Sequence, residues 1–441
     1  MKRLFPSLVP VLVALLGAGC GSSNGGNSST VNIDPSMSES AISSAFSTAA
    51  AGATLQLAAG TYHFTNSLNL AAKDGITVKG AGPTSTILDF KNQAAGADGV
   101  VQTVGAGVNV RVTFQDFGVQ DTAGDGIKVT GGNGVHFNRV NVSWPNRTTH
   151  GGYGIYPVQS KNVLVENCTV DGASDTGIYV GQSDTIIVRN NTLTNNVAGI
   201  EIENSTSSDV TANNSHDNTV GFLVFDLPNL PKVGGKNHRV FGNQFVNNNH
   251  PNFGAAGGTV ALVPAGTGGA VMASSSVEVF NNTFSGNSAA GFSVISCFVA
   301  FSQSDCVPPG ATAGYVPVPN NVYAHDNTFT GNGTNPLQGN TDPGHPSYQL
   351  AALLASGFQA PGWPGNHVAD QTYDGIWPLG DPANSGNPYA VCFKGATSFA
   401  NLHFDQLNPP SKLLNQTYTF DATKFDCTGT VLPPVTVSNI Q

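Results

Sequence analysis

Three side chains able to take part in sugar chemistry recur at one place in a repeated phrase of the sequence, and a fourth lies two residues further on. Tyr156 and Tyr179 occupy that place in "GIYP" and "GIYV", and Glu201 occupies it in "GIEIE", with Glu203 two residues later. Side chains two apart on a strand lie about 7 Å apart at the backbone, and the paired carboxyl groups of glycosidases are roughly 5 to 9.5 Å apart. Tyrosine rings can stack on sugars and hydrogen-bond to their hydroxyls. The set could therefore hydrolyse or bind a glycan.

Each of these residue types also has a simpler interpretation. A column of tyrosines can serve only to stabilise a sheet face, and Glu201 with Glu203 could bind calcium, which accepts oxygen ligands in flexible geometry. Asp175, just before the phrase that contains Tyr179, could add a carboxylate to the site or cap its own turn. Lys128 holds the corresponding position in "GIKV" and is a candidate for substrate binding.

An insertion beside the tyrosines supplies the remaining candidates. The repeat that ends in "YGIYP" is 28 residues long, whereas the next three are 22 or 23. Long loops on a rigid scaffold often carry function. We identify Arg147 and His150 in this insertion as candidate catalytic residues, and Trp144 and Tyr153 as candidate substrate-binding residues.

The repeat itself predicts the elements that position these side chains. A Gly-Ile phrase returns about every 22 residues, with apolar residues alternating at strand period. A short strand at such a period is typical of one coil of a parallel β-solenoid, in which equivalent residues of successive coils stack. We therefore expect one inward apolar column and one outward column that holds the candidates. The inward column is predicted to contain Ile127, Ile155, Ile178, Ile200 and Phe222.

A second repeated phrase lies between successive copies of the Gly-Ile phrase, as in "VLVENCTV" and "IIVRNNTL". Its repeated asparagine predicts a ladder at a strand-to-turn corner, where side-chain amides can bond the backbone and one another. Cys168 occupies the first position of this ladder and is expected to be a packing residue without chemistry. The predicted members are Cys168, Asn191, Asn214, Asn243, Asn282 and Asn327.

With "ATLQLAAGTYHF" leading into them, these phrases resemble the right-handed parallel β-helix superfamily of pectate lyases, polygalacturonases and mannuronan epimerases. "GASDTGIYVGQS" and "FLVFDLPNLP" are closest to a bacterial family of exported parallel β-helix repeat proteins. The resemblance implies an all-β fold, a right-handed parallel β-helix over residues 31–335. An N-terminal helical cap at 40–52 and an irregular C-terminal capping region at 336–441 would complete it. "YGIYPVQS" stands where mannuronan epimerases have Tyr-Gly-Ile-Asp-Pro-His-Asp, and the missing histidine argues against that mechanism.

The first twenty residues predict export. Lys2 and Arg3 precede an apolar run too short to span a membrane, and "LLGAGC" resembles the lipobox of bacterial lipoproteins, in which Cys20 would be acylated. Residues 21–30 then form a flexible tether to the outer membrane. Simple secretion is the alternative, because the leucine of the lipobox lies one residue early. Disulfides are permitted in these compartments, and spacing predicts two pairs: Cys297 with Cys306, and Cys392 with Cys427.

Composition limits the partners. The chain has 441 residues, a net charge of −10 and only 10% charged residues, so it lacks the basic field of a nucleic-acid binder. No complete catalytic or metal-binding motif is present. The sequence therefore favours a monomeric surface lipoprotein that binds an extracellular or cell-envelope polysaccharide without a cofactor, calcium excepted. The alternative is a carbohydrate-active enzyme, a lyase, epimerase or glycoside hydrolase, that acts at the tyrosine and glutamate column.

Overall fold

The computed structural model describes residues 29–105, 108–310, 313–357, 365, 367–375, 387, 389–401 and 420–441. The predicted signal peptide, Cys20 and most of the tether lie outside the described residues. No helix within the described part of the chain combines the length and hydrophobicity needed to cross a bilayer.

Nearly all of the described strands pair in parallel with the equivalent strand of the next coil, as the repeat predicts. They form two sheets that wind around a common core. The eleven-stranded sheet contains Leu68–Asn69, Val100–Thr103, Ile127–Thr130, Tyr153–Val158, Thr176–Gly181, Ala198–Glu203, Val220–Phe225, Thr267–Met272, Ala290–Ile295, Gln371–Tyr373 and Phe399–Asn401.

The twenty-stranded sheet turns a corner within each coil, so that most coils contribute one strand on each side of the corner. Its strands are Thr30–Ile33, Thr54–Leu57, Gly60–His63, Ile76–Lys79, Thr86–Asp89, Val112–Gln120, Asn133–Ser143, Lys161–Glu166, Thr169–Asp171, Asp184–Arg189, Thr192–Thr194, Thr206–Thr211, Asn214–His216, Lys236–Phe241, Gln244–Val246, Ser275–Phe280, Thr283–Ser285, Asn320–His325, Thr328–Thr330 and Cys392–Phe393. The helices are Glu39–Ser47, Cys297–Ala300, Gln303–Cys306 and Pro346–Gly357, with a 3₁₀ helix at Thr259–Leu262.

The Gly-Ile phrase folds as the stacking argument requires. Ile155 pairs with Ile127 and Ile178, Ile178 pairs with Ile200, and Ile200 pairs with Phe222. All of them are at most 1% exposed, so the predicted apolar column is confirmed. The glycine before each one is required by close approach of the coils: a Cβ on Gly199 would lie 2.6 Å from the Gly221 carbonyl oxygen.

The asparagine ladder is confirmed with one correction. In the coil where Asn214 is predicted, Asn213 takes the ladder position: its Oδ1 accepts from Asn191 N at 3.0 Å, and its amide donates to Asn243 Oδ1 at 3.0 Å. The residue before each ladder position has positive φ, which favours Asn or Gly. In this coil the position with positive φ is Ala212, and two asparagines follow it. The sequence pattern takes Asn213 for the positive-φ residue and therefore places the ladder residue at Asn214, one residue too late.

A second ladder at the next corner was not predicted. Its amides bond one another and the backbone carbonyls of the preceding coil in the same way, as in Asn196 Nδ2 to Asn218 Oδ1 at 2.9 Å. Its members are Asn196, Asn218, Asn248, Asn287 and Asn332. Cys168 is buried and unbonded to another cysteine, and burial raises the pKa of its thiol to about 12, as expected for a packing residue.

The two ends of the solenoid are closed differently. Helix Glu39–Ser47 overlaps the helical cap predicted at 40–52 and ends five residues earlier. It begins after Ser38, whose Oγ accepts from Ala41 N, and buries Ile42 and Phe46. At the other end, parallel pairing continues past residue 335, where the sequence repeat is lost, to strand Phe399–Asn401. The predicted disulfides Cys297–Cys306 and Cys392–Cys427 are both present.

The last residues run back along the twenty-stranded sheet toward the first coils. Leu432 N donates to Glu278 at 2.9 Å, Val435 N donates to Asp209 at 3.2 Å, and the carbonyl of Gln441 lies 3.3 Å from His136. The C-terminal region therefore does more than cap the last coil, because its final segment crosses the outer surface of several earlier coils.

Candidate functional site

The outer surface of the eleven-stranded sheet carries the predicted column, and we call this surface the candidate face. Tyr156 pairs with Lys128, and Tyr179 pairs with Glu201, in adjacent coils. Glu203 lies on the neighbouring outward column of the same strand as Glu201. The vertical alignment of these residues is therefore confirmed.

Three tyrosines meet on the candidate face. The ring centroids of Tyr153 and Tyr156 are 4.5 Å apart, those of Tyr153 and Tyr179 are 4.6 Å apart, and those of Tyr156 and Tyr179 are 4.9 Å apart. Their planes are tilted by 42° to 89°, so they form a cluster and not the flat strip that the sequence suggests. Tyr153 and Tyr156 are half-buried, whereas Tyr179 is only 4% exposed.

The glutamates point away from the core but are covered, which corrects the expectation of a solvent-facing column. Glu201 is 1% exposed and Glu203 is 7% exposed. Apolar residues from later insertions, Val260, Cys297 and Cys306 among them, pack over the next part of this face and join it into a second hydrophobic cluster. The Tyr179 hydroxyl donates to Glu203 Oε2.

Burial gives these carboxyl groups unusual acidities. It raises the pKa of Glu203 to about 7 and the pKa of Asp175 to about 6. Burial also raises the pKa of Glu201 well above its usual range, reinforced by the charges of Asp175 and Glu203. One oxygen of Glu201, Oε1, is buried without a hydrogen-bond partner. No lysine or arginine in the described residues forms an ion pair with these three, so at neutral pH the group retains protons.

Lys128 is already engaged by two acids that the sequence reasoning missed. Its Nζ lies 3.1 Å from Asp125 Oδ2 and 3.8 Å from Asp98 Oδ2, and 4.7 Å from the centre of the Tyr156 ring. Asp125 stands two residues before Ile127, as Tyr153 stands two before Ile155. Comparing the position two residues before each inward isoleucine, which holds Tyr153 and Thr176 in the next coils, would have found it.

Asp226 extends the acidic row at its other end. It follows strand Val220–Phe225, its Oδ2 accepts from the backbone N–H groups of Gly234 and Gly235 at 2.7 Å, and burial raises its pKa to about 6. Its charge contributes to the raised pKa of Glu203. Sequence reasoning missed Asp226 because "FDLP" begins an insertion and has no counterpart in the repeat.

The insertion residues Trp144, Arg147 and His150 do not join the cluster. Trp144 is 4% exposed, and its indole N–H donates to Thr122 O at 2.9 Å, which is a core contact. Arg147 donates to Lys91 O at 3.0 Å. Both ring nitrogens of His150 lie against backbone carbonyls, of Gly172 at 2.5 Å and of Arg147 at 3.1 Å. In this structure the three side chains are held by backbone groups and are not seen in contact with the tyrosine cluster, so their roles in a site stay predictions.

Among the described residues, no three histidine, cysteine, aspartate or glutamate side chains are placed to hold a metal ion. Asp175, Glu201 and Glu203 lie close enough for their charges to interact. The carboxyl groups and phenols of the candidate face can supply proton transfer, hydrogen bonding and ring stacking.

Comparison with known proteins agrees with the coil geometry. Residues 98–261 match the family model described as "Right handed beta helix region". The chain has the right-handed parallel β-helix fold. No curated protein sequence matches it.

Several solved structures share this architecture. One is the A-module of mannuronan C-5 epimerase AlgE4 from Azotobacter vinelandii, at 17% identity over 67% of this chain and 84% of that chain, with a TM-score of 0.43. Another is the catalytic unit of a GH87 α-1,3-glucanase from Streptomyces thermodiastaticus, at 14% identity over 80% and 51%, with a TM-score of 0.47. The surface protein and adhesin PfbA of Streptococcus pneumoniae has 11% identity over 66% and 92%, with a TM-score of 0.38. At these identities the likeness concerns the fold alone.

Proposed function

We propose that this β-helix protein is a glycoside hydrolase that acts on a neutral extracellular glycan at the candidate face. The observation that carries the proposal is the meeting of Asp175, Glu201 and Glu203 beside three tyrosine rings, without a paired cation. Strongly perturbed carboxyl groups gathered on one face are typical of functional sites. Purely structural acids are more often paired, as Glu166 is with Arg189 at 2.6 Å on the other sheet.

Glycosidic hydrolysis needs one carboxyl group that donates a proton and one that is ionised. Glu203, with a pKa of about 7, is protonated at mildly acidic pH and would serve as the acid. Asp175, with a pKa of about 6 and partial exposure, ionises first and would serve as the base or nucleophile. Tyr153 and Tyr156 are the exposed rings on which a sugar can stack.

The charge of the face argues for a neutral substrate. Two cations described beside the row of acids are already engaged: Lys128 is held by Asp98 and Asp125, and Lys232, near Asp226, donates to Ser183 O and the Thr206 hydroxyl. An incoming uronate would meet uncompensated carboxyl groups instead of the neutralising cation that lyases and epimerases require. We therefore expect glucans, mannans, xylans or galactans to be preferred over alginate and pectate.

A second candidate is binding without turnover, which is the function that the sequence favours. The observation behind it is the burial of the two glutamates, since Glu201 is 1% and Glu203 7% exposed and Glu203 is bonded to the Tyr179 hydroxyl. In that case Tyr153, Tyr156 and Asp175 would form a binding surface on a surface protein.

Purified protein should be incubated with panels of neutral and uronate-containing polysaccharides, with measurement of binding, reducing-end release and unsaturated products. The hydrolase proposal expects reducing ends from a neutral glycan, a decline of activity above about pH 7, and loss of turnover with retained binding in Glu203→Gln. Glu166→Gln, on the other sheet, is the matched control. Binding with no turnover would favour the second candidate, and binding to no neutral glycan would refute both.

We also propose that the protein is exported and anchored by Cys20 to the outer membrane. Two disulfides support an oxidising compartment. Mass spectrometry of the mature N-terminus tests the anchor: a lipid-modified Cys20 at the N-terminus is expected, and a Cys20→Ala variant should be released from membranes. An unmodified N-terminus at another residue would contradict the anchor.

A further inference from the structure

A largely apolar pocket lies directly beyond the acids on the candidate face. Its floor continues the two outward columns, because Glu201 pairs with Leu223 and Glu203 pairs with Phe225 in the next coil. Ala270 and Met272 follow one coil further on. The accessible space inside it is about 90 Å³, several times the roughly 10 to 15 Å³ that one water-sized group needs. The polar half of the face therefore ends in a hydrocarbon-lined recess.

The walls of this pocket come from three segments that the chain fixes in place. They are the 3₁₀ helix Thr259–Leu262, helix Cys297–Ala300 and helix Pro346–Gly357, which contribute Leu262, Val299, Leu350 and Leu353. The disulfide at Cys297 closes the second wall. Beside the first wall, Asn340 accepts from Ala265 N at 3.0 Å and donates to Ala265 O at 2.9 Å. The disulfide and the hydrogen bonds between Asn340 and Ala265 therefore fix the wall segments of the pocket in place.

Most of the polar side chains that line the pocket already have partners within the protein. The Thr372 hydroxyl donates to Ser293 Oγ at 2.8 Å, the Thr267 hydroxyl donates to Pro264 O at 2.8 Å, and Asp374 accepts from Ser296 N at 2.6 Å. A polar ligand group would lose its water here without gaining partners. Aliphatic side chains outnumber aromatic ones in the lining, which suits a flexible hydrocarbon chain better than a flat ring.

We infer that this pocket binds the aliphatic chain of an acylated or alkylated sugar whose polar part lies on the candidate face. The inference deepens the proposed function and rests on it for the sugar. The inference rests on the position of the pocket. The candidate face carries tyrosines and acids in four coils, and the same outward columns continue into the apolar pocket in the next coils. The substrate class is then a glycan or glycolipid with an aliphatic substituent.

The test measures binding of hexyl, octyl and decyl glucoside, each below its micelle concentration, with glucose and decanoate as comparison ligands. Each added methylene should tighten binding about fourfold, and decyl glucoside should bind better than decanoate. Ala270→Phe fills the pocket and should weaken decyl glucoside binding at least tenfold. Met272→Gln, which keeps the volume but adds an amide, should act in the same direction if Ala270→Phe does not fold. Ala59→Phe, at an exposed site in the first coils, is the control and should have no effect.

Affinity that does not rise with chain length would overturn the inference, as would normal binding by both folded pocket variants. Failure of the wild type to bind any alkyl glucoside overturns it too, since the recess would then be filled by the protein's own chain. Decanoate that binds as tightly as decyl glucoside overturns the link to the sugar. The proposed hydrolase fails separately, by absence of turnover on neutral glycans, while loss of alkyl binding alone leaves that turnover intact.

Discussion

Replacing Glu203 by glutamine should stabilise the protein at alkaline pH. Because burial raises the pKa of Glu203 from 4.5 to about 7, the folded state prefers the protonated acid. The stability from this group is complete below pH 4.5 and is lost as the pH rises through about 7. A rise of that size corresponds to about 3 kcal/mol. The amide of Glu203→Gln is neutral at every pH and can still accept from the Tyr179 hydroxyl.

The assay is equilibrium unfolding in urea at pH 4 and pH 8, for the wild type and Glu203→Gln. The difference in free energy of unfolding, variant minus wild type, should increase by about 2 to 3 kcal/mol from pH 4 to pH 8. Glu166→Gln is the control of opposite sign: burial raises the pKa of Glu166, but hydrogen bonds from Arg189 and His136 outweigh it and lower that pKa. A Glu203→Gln difference that is the same at both pH values would refute the reasoning.

Three further predictions concern the scaffold. Asn213→Ala should lower the free energy of unfolding by about 2 to 4 kcal/mol, because it breaks buried ladder bonds. Asn214→Ala, at the exposed neighbouring position, should change the free energy of unfolding little. Urea unfolding of both variants tests which of the two asparagines belongs to the ladder. Gly199→Ala should also destabilise, by more than about 1 kcal/mol, because its Cβ would press on the next coil; a thermal midpoint equal to the wild type would contradict this. Cys168 should stay unmodified by thiol reagents in the folded protein and react in urea, since it is buried with a pKa of about 12; labelling of the native protein would contradict its packing role.

The extent to which the sequence predicted the site differs between residues. Tyr156, Tyr179, Glu201 and Glu203 were found because their column repeats with the coil. Tyr153 was expected in the insertion and does join the cluster. Trp144, Arg147 and His150 were chosen for chemical type, and residue type does not reveal the backbone carbonyls that hold side chains such as His150.

Two acids of the acidic row, Asp125 and Asp226, were missed by the sequence reasoning for different reasons. Asp125 lies on a column that the repeat defines, and a longer reading of that column would have included it. Asp226 lies in an insertion and is brought to the face by its bonds to Gly234 and Gly235. No periodicity connects it to Glu203, so only the folded chain reveals that their charges interact.

The sequence by itself determined the coil, its period, the inward apolar column and the rows of glycine and asparagine. These follow from local repetition, because each coil stacks on the next and equivalent residues must fit one another every 4.8 Å or so. The tertiary structure alone decided the environment of the outward column. Segments from distant insertions fold back over the next part of the candidate face and build the apolar pocket. Those contacts join residues far apart in the chain and follow no repeat, so the sequence pattern does not predict them. Nor does the pattern predict the burial of Glu201 and Glu203, which raises the pKa values on which the proposed chemistry depends.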